Sequence, residues 1–312
     1  MERRRLGTSE LMVSELSLGS WRTYERISHN AGLAVMRKAQ EVGINFLDDA
    51  RYNDETGEAP MKTGYSEVVF GQVFRDAGWK RDEVVIANKL WWEFWPQQNA
   101  MQEIDGSLRR MGMRHIDLAY AERLPEGLSV RRCVEEVAGL INAGKIRAWG
   151  VLNWAPADIA EAARVAAEMG APTPCAAQLP YSVVTRSVVE NPDMGDTLDA
   201  AGISVVASYT LMGGALSGKY EDPSATGRIN ARIDGRDYSE ALAAGSKLKA
   251  LAGEIGANPA ALAIAFALSN PRVATVLFGA TNPEQITQNV GAVELKQRLD
   301  EALMERLRAI ES

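Results

Sequence analysis

Histidine and cysteine are nearly absent from this chain, whose 312 residues include two of each. The cysteines, Cys133 and Cys175, stand far apart with no CxxC pair and no Cys/His cluster. That argues against a disulfide framework and against a zinc site, and it fits a reducing cytoplasm. No run approaches the roughly 20 apolar residues that cross a bilayer, and the charged start MERRRLGTSE lacks the apolar core of a signal peptide. Positive charge is also scarce, with 34 Lys and Arg against 41 Asp and Glu and a net charge of −7. A nucleic-acid or anionic-membrane surface is therefore disfavoured. No Pro/Gly/Ser-rich linker divides the composition, so a single domain over 1–312 is expected, and homo-oligomer formation stays open.

What is present is a repeated alternation. Short Val/Ile-rich runs occur at 16–19, 44–48, 84–87, 116–120, 146–152, 176–179, 203–208 and 275–279. Between them, stretches such as 31–43, 130–144 and 156–170 place apolar residues at helical spacing and end at glycine, as amphipathic helices do. Strands without polar alternation are buried on both faces, which suits a parallel sheet covered by helices. Eight such units predict an α/β chain closed into a (β/α)8 TIM barrel rather than an open doubly wound sheet. Ahead of the first barrel strand, two extended pieces around Gly7-Thr8 predict a hairpin that plugs the barrel floor, and 283–293 and 295–310 read as C-terminal helices.

In a parallel barrel the reactive groups belong at the C-terminal ends of the strands. That rule selects Asp48 at the end of the second strand, Tyr52 just beyond it, Asn88-Lys89 after the third and Glu122 after the fourth. Lysine beside tyrosine stabilises a phenolate and lowers the phenol's pKa, while a carboxylate holds the lysine charged and aimed. Taken singly, each residue also has a structural reading, as a cap, a solvated rim charge or loop packing.

The chain resembles the aldo-keto reductases, in the branch that includes the potassium-channel β subunits and bacterial members. The resemblance rests on RRLGTSELMVSELSLGSW, GINFLDDARY, VVIANKL, SLRRMGMRHIDL, GLINAGKIRAWGVLNW, GISVVASYTLMGGALSGKY and GATNPEQITQNVGAVE, in that order. It implies a (β/α)8 barrel and hydride transfer from a nicotinamide cofactor without metal. The family's Asp, Tyr, Lys and His would fall on Asp48, Tyr52, Lys89 and Glu122. The chain departs from the family twice. Tyr52 follows Asp48 by four residues rather than five, which leaves Tyr65 as a second candidate, and glutamate stands where histidine is usual. His29 and His115 lie elsewhere and read as structural.

By the same resemblance, Ser20 and Trp21 flank the nicotinamide, Asn153 and Gln178 hold its carboxamide, and an aromatic stacks on it near Ser208, where Tyr209 is adjacent. The segment from Ser208 through Thr210, Leu211, Gly213 and Gly218 to Lys219 approaches the pyrophosphate, with glycine permitting close contact. Gly279, Thr281, Gln285, Gln288 and Asn289 meet the adenosine end, Thr281, Gln285 and Asn289 falling on one helix face, and Arg228 and Arg232 complete a phosphate site. NADPH is favoured over NADH because a 2′-phosphate gives these cations a partner.

The aromatic run after Lys89, with Trp91, Trp92, Phe94 and Trp95, predicts with Trp21 and Glu122 a pocket for a bulky apolar small molecule. Carbonyl reduction, or the reverse alcohol oxidation, is the expected activity. Glu122 opens an alternative, since steroid 5β-reductases also carry glutamate there and reduce a conjugated C=C bond; a neutral carboxylic acid can donate to the enone oxygen. A non-catalytic NADPH-binding subunit or sensor is the third reading.

Overall fold

The computed structural model describes residues 1–310 apart from Thr56, Pro223, Thr226, Arg228 and 230–237. Its centre is a closed parallel barrel of eight strands: β3 (Leu16–Gly19), β4 (Phe46–Asp48), β5 (Val85–Leu90), β6 (Leu118–Glu122), β7 (Ala148–Leu152), β8 (Ala176–Pro180), β9 (Ser204–Ser208) and β10 (Val273–Phe278). The strands lie in sequence order, and β10 closes the ring by pairing with both β3 and β9. The antiparallel hairpin β1 (Arg3–Arg5) and β2 (Met12–Ser14) precedes the barrel. Leu6, Leu11 and Val13 of this hairpin are buried with Phe46, Val85, Leu118 and Val206 in the barrel interior. They fill the floor that the strands alone would leave open. Gly7 at the hairpin turn has φ +53°, and a Cβ there would meet the Cys175 carbonyl oxygen at 2.1 Å, so only glycine fits.

From β4 to β9 side chains alternate between two cores, and the bulge between Val273 and Thr275 interrupts the alternation in β10. Phe46, Val85, Ala87, Leu118, Tyr120, Leu152, Ala176 and Val206 point into the barrel. Their neighbours Leu47, Ile86, Ala119, Ala121, Val151, Ala177 and Val205 pack outward under the helices. One pleat further along each strand, the same inward parity delivers Asp48, Lys89, Glu122 and Gln178 to the mouth. The strand period therefore aims the site.

Helices cover the outside, with ends set by local chemistry. Asn99 and Gln102 form a capping box for Ala100–Met111, Ser129 caps Val130–Asn142, and Asn282 caps Pro283–Leu295. The helix expected over 295–310 is broken: Lys296–Arg298 is a single 3-10 turn, and Asp300 accepts from the Leu303 amide to start a separate helix, Glu301–Arg308. Among the described residues no single helix is long and apolar enough to cross a membrane.

Candidate active site

Lys89 sits at the centre of the mouth, 4% exposed, on a strand that runs to Leu90 rather than stopping at Ala87. Its ammonium donates to Asp48 Oδ1 and, at 3.3 Å, to the Tyr52 hydroxyl oxygen. Asp48 Oδ2 accepts from Gln178 Nε2 at 2.9 Å, so both carboxylate oxygens are engaged. Because lysine donates to the phenol, the Tyr52 O–H is left to donate to a third group. Tyr52 rather than Tyr65 occupies this position; Tyr65 begins the helix Tyr65–Ala77 and lines a neighbouring cavity.

Burial dominates the electrostatics and reverses one expectation. The Tyr52 phenol is pushed above its ordinary value by burial; Lys89 pulls down, and Asp48 and Asp49 push up. Tyr52 is therefore a neutral hydrogen-bond donor. Burial works against the charge on Lys89, but the charge and hydrogen bonds of Asp48 and Tyr52 outweigh it and hold the ammonium above its usual range. The Glu122 carboxyl is also pushed up, by desolvation, against opposing pulls from Arg123, Asn153 and Lys89.

An elongated cavity of about 980 Å³ crosses the mouth. At the catalytic end its wall includes Trp21, Asp48, Tyr52, Lys89, Trp91 and Glu122, with Asn153 and Gln178 beside them. It continues along Ser208, Tyr209, Thr210 and Leu211 to Gly213, Gly214 and Lys219, and ends at Gly279, Thr281, Gln285, Gln288 and Asn289. Gly213 and Gly214 lie at φ +66° and +97°, which kinks the 3-10 segment Met212–Ser217 along this wall. Among the described residues five non-glycine residues also take positive φ, namely Arg22, Trp92, Asn153, Tyr209 and Met212, and all five follow the C-terminal ends of barrel strands. Backbone strain of this kind gathers at functional sites.

A sequence profile of the aldo/keto reductase family matches residues 15–312. The chain belongs to the aldo/keto reductase family. Among its relatives, a probable voltage-gated potassium channel subunit beta of Oryza sativa subsp. japonica is 29% identical over 329 residues, covering 99% of this chain and 96% of the relative. A putative voltage-gated potassium channel subunit beta of Schizosaccharomyces pombe (strain 972 / ATCC 24843) is also 29% identical, over 97% of this chain and 91% of the relative.

Not every expected residue of this chain reaches the cavity. Ser20 is buried and donates to Asp49 Oδ1, behind the wall that Gly19 and Trp21 form. Trp92 is 2% exposed and packs edge-on to Trp95, so of the aromatic run only Trp91 lines the cavity; Phe94 lies outside at 47% exposure, under the Arg51 guanidinium. Gly218 caps the 3-10 turn, and Ser217 and Lys219 line the cavity in its stead. Thr281 precedes the Asn282 cap instead of sharing a helical face, and its amide and hydroxyl donate to Gln285 Oε1 at 2.8 and 3.3 Å. Arg228 and Arg232 lie outside the described residues.

Sequence reasoning missed a layer of buried polar residues. Glu103 accepts from the Trp91 and Trp92 amides at 2.9 and 3.3 Å and so holds the loop after β5. Arg51, between Asp48 and Tyr52, donates to Thr63 at 2.8 Å and lies 2.8 Å from Glu93. Buried Asp49 has one oxygen without a partner. Only the position of Arg51 inside DDARY hinted at this layer.

Proposed function

We propose that this chain is an NADPH-dependent carbonyl reductase, also competent for the reverse alcohol oxidation. The observation that carries the reading is the Asp48–Lys89–Tyr52 contact set at the bottom of the long cavity. The donor set suits a dinucleotide: carboxamides at the catalytic end, a glycine kink with Lys219 midway, and hydroxyl and amide side chains at the far end. Asn153, the Gln178 oxygen, Lys219 and the Thr281–Asn289 cluster would hold it. The bound nicotinamide would supply the hydride to the carbonyl carbon. Tyr52 donates its hydrogen bond, and then its proton, to the carbonyl oxygen as the C=O π bond becomes an O–H bond, and Lys89 stabilises the phenolate left behind. Asp48 keeps Lys89 charged throughout. Two buried, unpaired cysteines suit the cytoplasmic setting expected from sequence.

The deciding test is NADPH consumption with a panel of aldehydes, by the native chain and by Tyr52→Phe and Tyr65→Phe. Loss of turnover in the first variant alone supports the reading; unchanged turnover in Tyr52→Phe overturns it. A second reading follows from Glu122. Its upshifted carboxyl is protonated further up the pH scale than ordinary glutamate and can donate to an enone oxygen, so C=C reduction should weaken as pH rises while C=O reduction by Tyr52 does not. The names of the relatives bring a third, a channel-associated nucleotide-binding subunit, which any robust NADPH turnover argues against.

A further inference from the structure

Tyr52 is aimed from a stretch of chain that no strand holds. β4 ends at Asp48, so the strand pairing that sets Asp48 beside Ala87 does not reach the phenol. The Tyr52 amide donates instead to the Ala50 carbonyl oxygen at 2.9 Å, a tight three-residue turn with Arg51 at its centre. Ser66 Oγ donates to the same oxygen at 2.7 Å, and the Gly64 amide donates to the Tyr52 carbonyl oxygen at 2.8 Å. These bonds tie the turn to its own loop and to the helix that follows. Arg51 ties it to the next loop.

The Arg51 side chain is 5% exposed, and its guanidinium spans the two loops. Nη1 donates to Thr63 Oγ1 at 2.8 Å, within the loop after β4. Nη2 lies 2.8 Å from Glu93 Oε2 and 3.7 Å from Glu103 Oε1, and the group sits over the Phe94 ring. Glu93 and Phe94 belong to the loop after β5. Glu103, buried on the helix Ala100–Met111, accepts from the Trp91 and Trp92 amides and so fixes the start of that same loop. Burial pushes the Glu103 carboxyl up, and the two amides and Arg51 pull it down. Trp91 in turn meets the Tyr52 ring edge-on, with centroids 6.1 Å apart. The contacts close a circuit from the Tyr52 turn through Arg51, Glu103 and Trp91 back to Tyr52. A planar fork suits this place, because it serves a hydroxyl and two carboxylates at once while its charge answers a buried acid.

We infer that Arg51 is the positioning residue for Tyr52: through Thr63, Glu93 and Glu103 it locks the Tyr52 turn to the loop after β5 and so keeps the phenol within reach of Lys89. Arg51 does not line the long cavity, so it acts through Tyr52 and not on the reactants. The inference deepens the carbonyl reductase reading and rests on it for the kinetic arm of the test alone.

Arg51→Met keeps the length of the side chain and removes both fork and charge. With NADPH and the aldehyde that turns over fastest in the panel, its kcat should fall roughly 10- to 100-fold, the scale of a misplacement of about 1 Å. KM for NADPH should stay within about twofold of the native value. Arg51→Lys restores the charge beside Glu103 but not the fork, and should recover part of the loss. In a Tyr52→Phe background Arg51→Met should lower kcat by less than about twofold more, because its effect runs through the hydroxyl already removed. A kcat unchanged by Arg51→Met at any stability, or the same loss with and without the Tyr52 hydroxyl, would reduce Arg51 to an ordinary ion pair and overturn the inference. A crystal structure of Arg51→Met reads the geometry without turnover. Tyr52 Oη should stand more than about 3.5 Å from Lys89 Nζ, and a phenol still bonded to Lys89 would overturn the inference even with kcat reduced. If the native chain reduces no aldehyde, the reductase reading fails and the crystal structure alone decides the role of Arg51. Should Arg51→Met not fold, Thr63→Val and Glu103→Gln, each removing one partner, carry the same readings, and native kcat in both would overturn the inference.

Discussion

The two ends of the barrel are built from the same strands and differ in how deeply they bury cationic charge and in how much they strain the backbone. At the floor, Glu15 is buried but met by Arg4 and Lys296, both at 2.6 Å. Asp117 is met by Arg81 and Arg147 at 2.7 and 2.9 Å and by the Ile86 amide. The hairpin leucines close the interior with no polar atom to satisfy. At the mouth, Asp48, Asp49, Glu67 and Glu103 are all buried; Asp48 meets Lys89, Glu67 meets Arg110, Glu103 accepts from two backbone amides, and Asp49 keeps one oxygen without a partner. Among the described residues, five non-glycine residues there take positive φ. The floor is assembled for stability. The mouth holds strained backbone and a buried lysine whose counter-charge is one aspartate, the condition in which a proton donor and a charged lysine can be kept dry and aimed.

Substitutions at the two ends should separate along that line. Asp48→Asn should have the largest effect, because it leaves Lys89 buried without its counter-charge. Stability in urea should fall by about 3–5 kcal/mol, together with a severe loss of turnover. Tyr52→Phe should cut kcat/KM by roughly 10²–10³-fold, about 2.7–4 kcal/mol in the transition state, while the urea midpoint hardly moves. Leu11→Ala at the floor should do the reverse, lowering stability by about 2–5 kcal/mol and leaving the kinetic constants of the folded fraction unchanged. Equal kinetic damage from Leu11→Ala and Tyr52→Phe would erase the distinction between the ends. The smallest effect belongs to Glu122. Its raised carboxyl contributes stability that is fully present below the ordinary glutamate range and lost as pH rises through the folded value. Glu122→Gln should therefore flatten the decline of stability as pH rises above the ordinary glutamate range and gain less than about 1 kcal/mol once that decline is complete, a modest figure because the side chain is only partly buried.

Sequence periodicity made the barrel legible because each strand is covered on both faces and reads as an unbroken apolar run. The hairpin and most helix ends were equally readable from turn and cap residues. The end of β5 was not: inward Lys89 interrupts the apolar pattern where the strand continues. The break in the last helix was hidden because Asp300 caps from within an otherwise helical sequence. At the site, the Asp48–Lys89 contact followed from strand ends alone. The net effect on Tyr52 did not, since adjacency to lysine says nothing about how dry the phenol is. Trp92 was misplaced because an aromatic run on a loop does not reveal which ring turns toward the core. The ion pairs of the neighbouring cavity that Tyr65 lines join three separate loops, Arg22 to Glu55 and Arg51 to Glu93, and no local pattern links such partners.

The inward alternation of the strands has a consequence for change over time. Asp48, Lys89 and Glu122 each stand one pleat above a residue locked in the barrel interior, Phe46, Ala87 and Tyr120. Covalent strand geometry therefore fixes the spacing of their Cα atoms to the same scale that packs the core. The loops that follow these strands hang beyond that fixed frame. They can be lengthened, recharged or exchanged, and the reacting atoms will find the same anchors waiting.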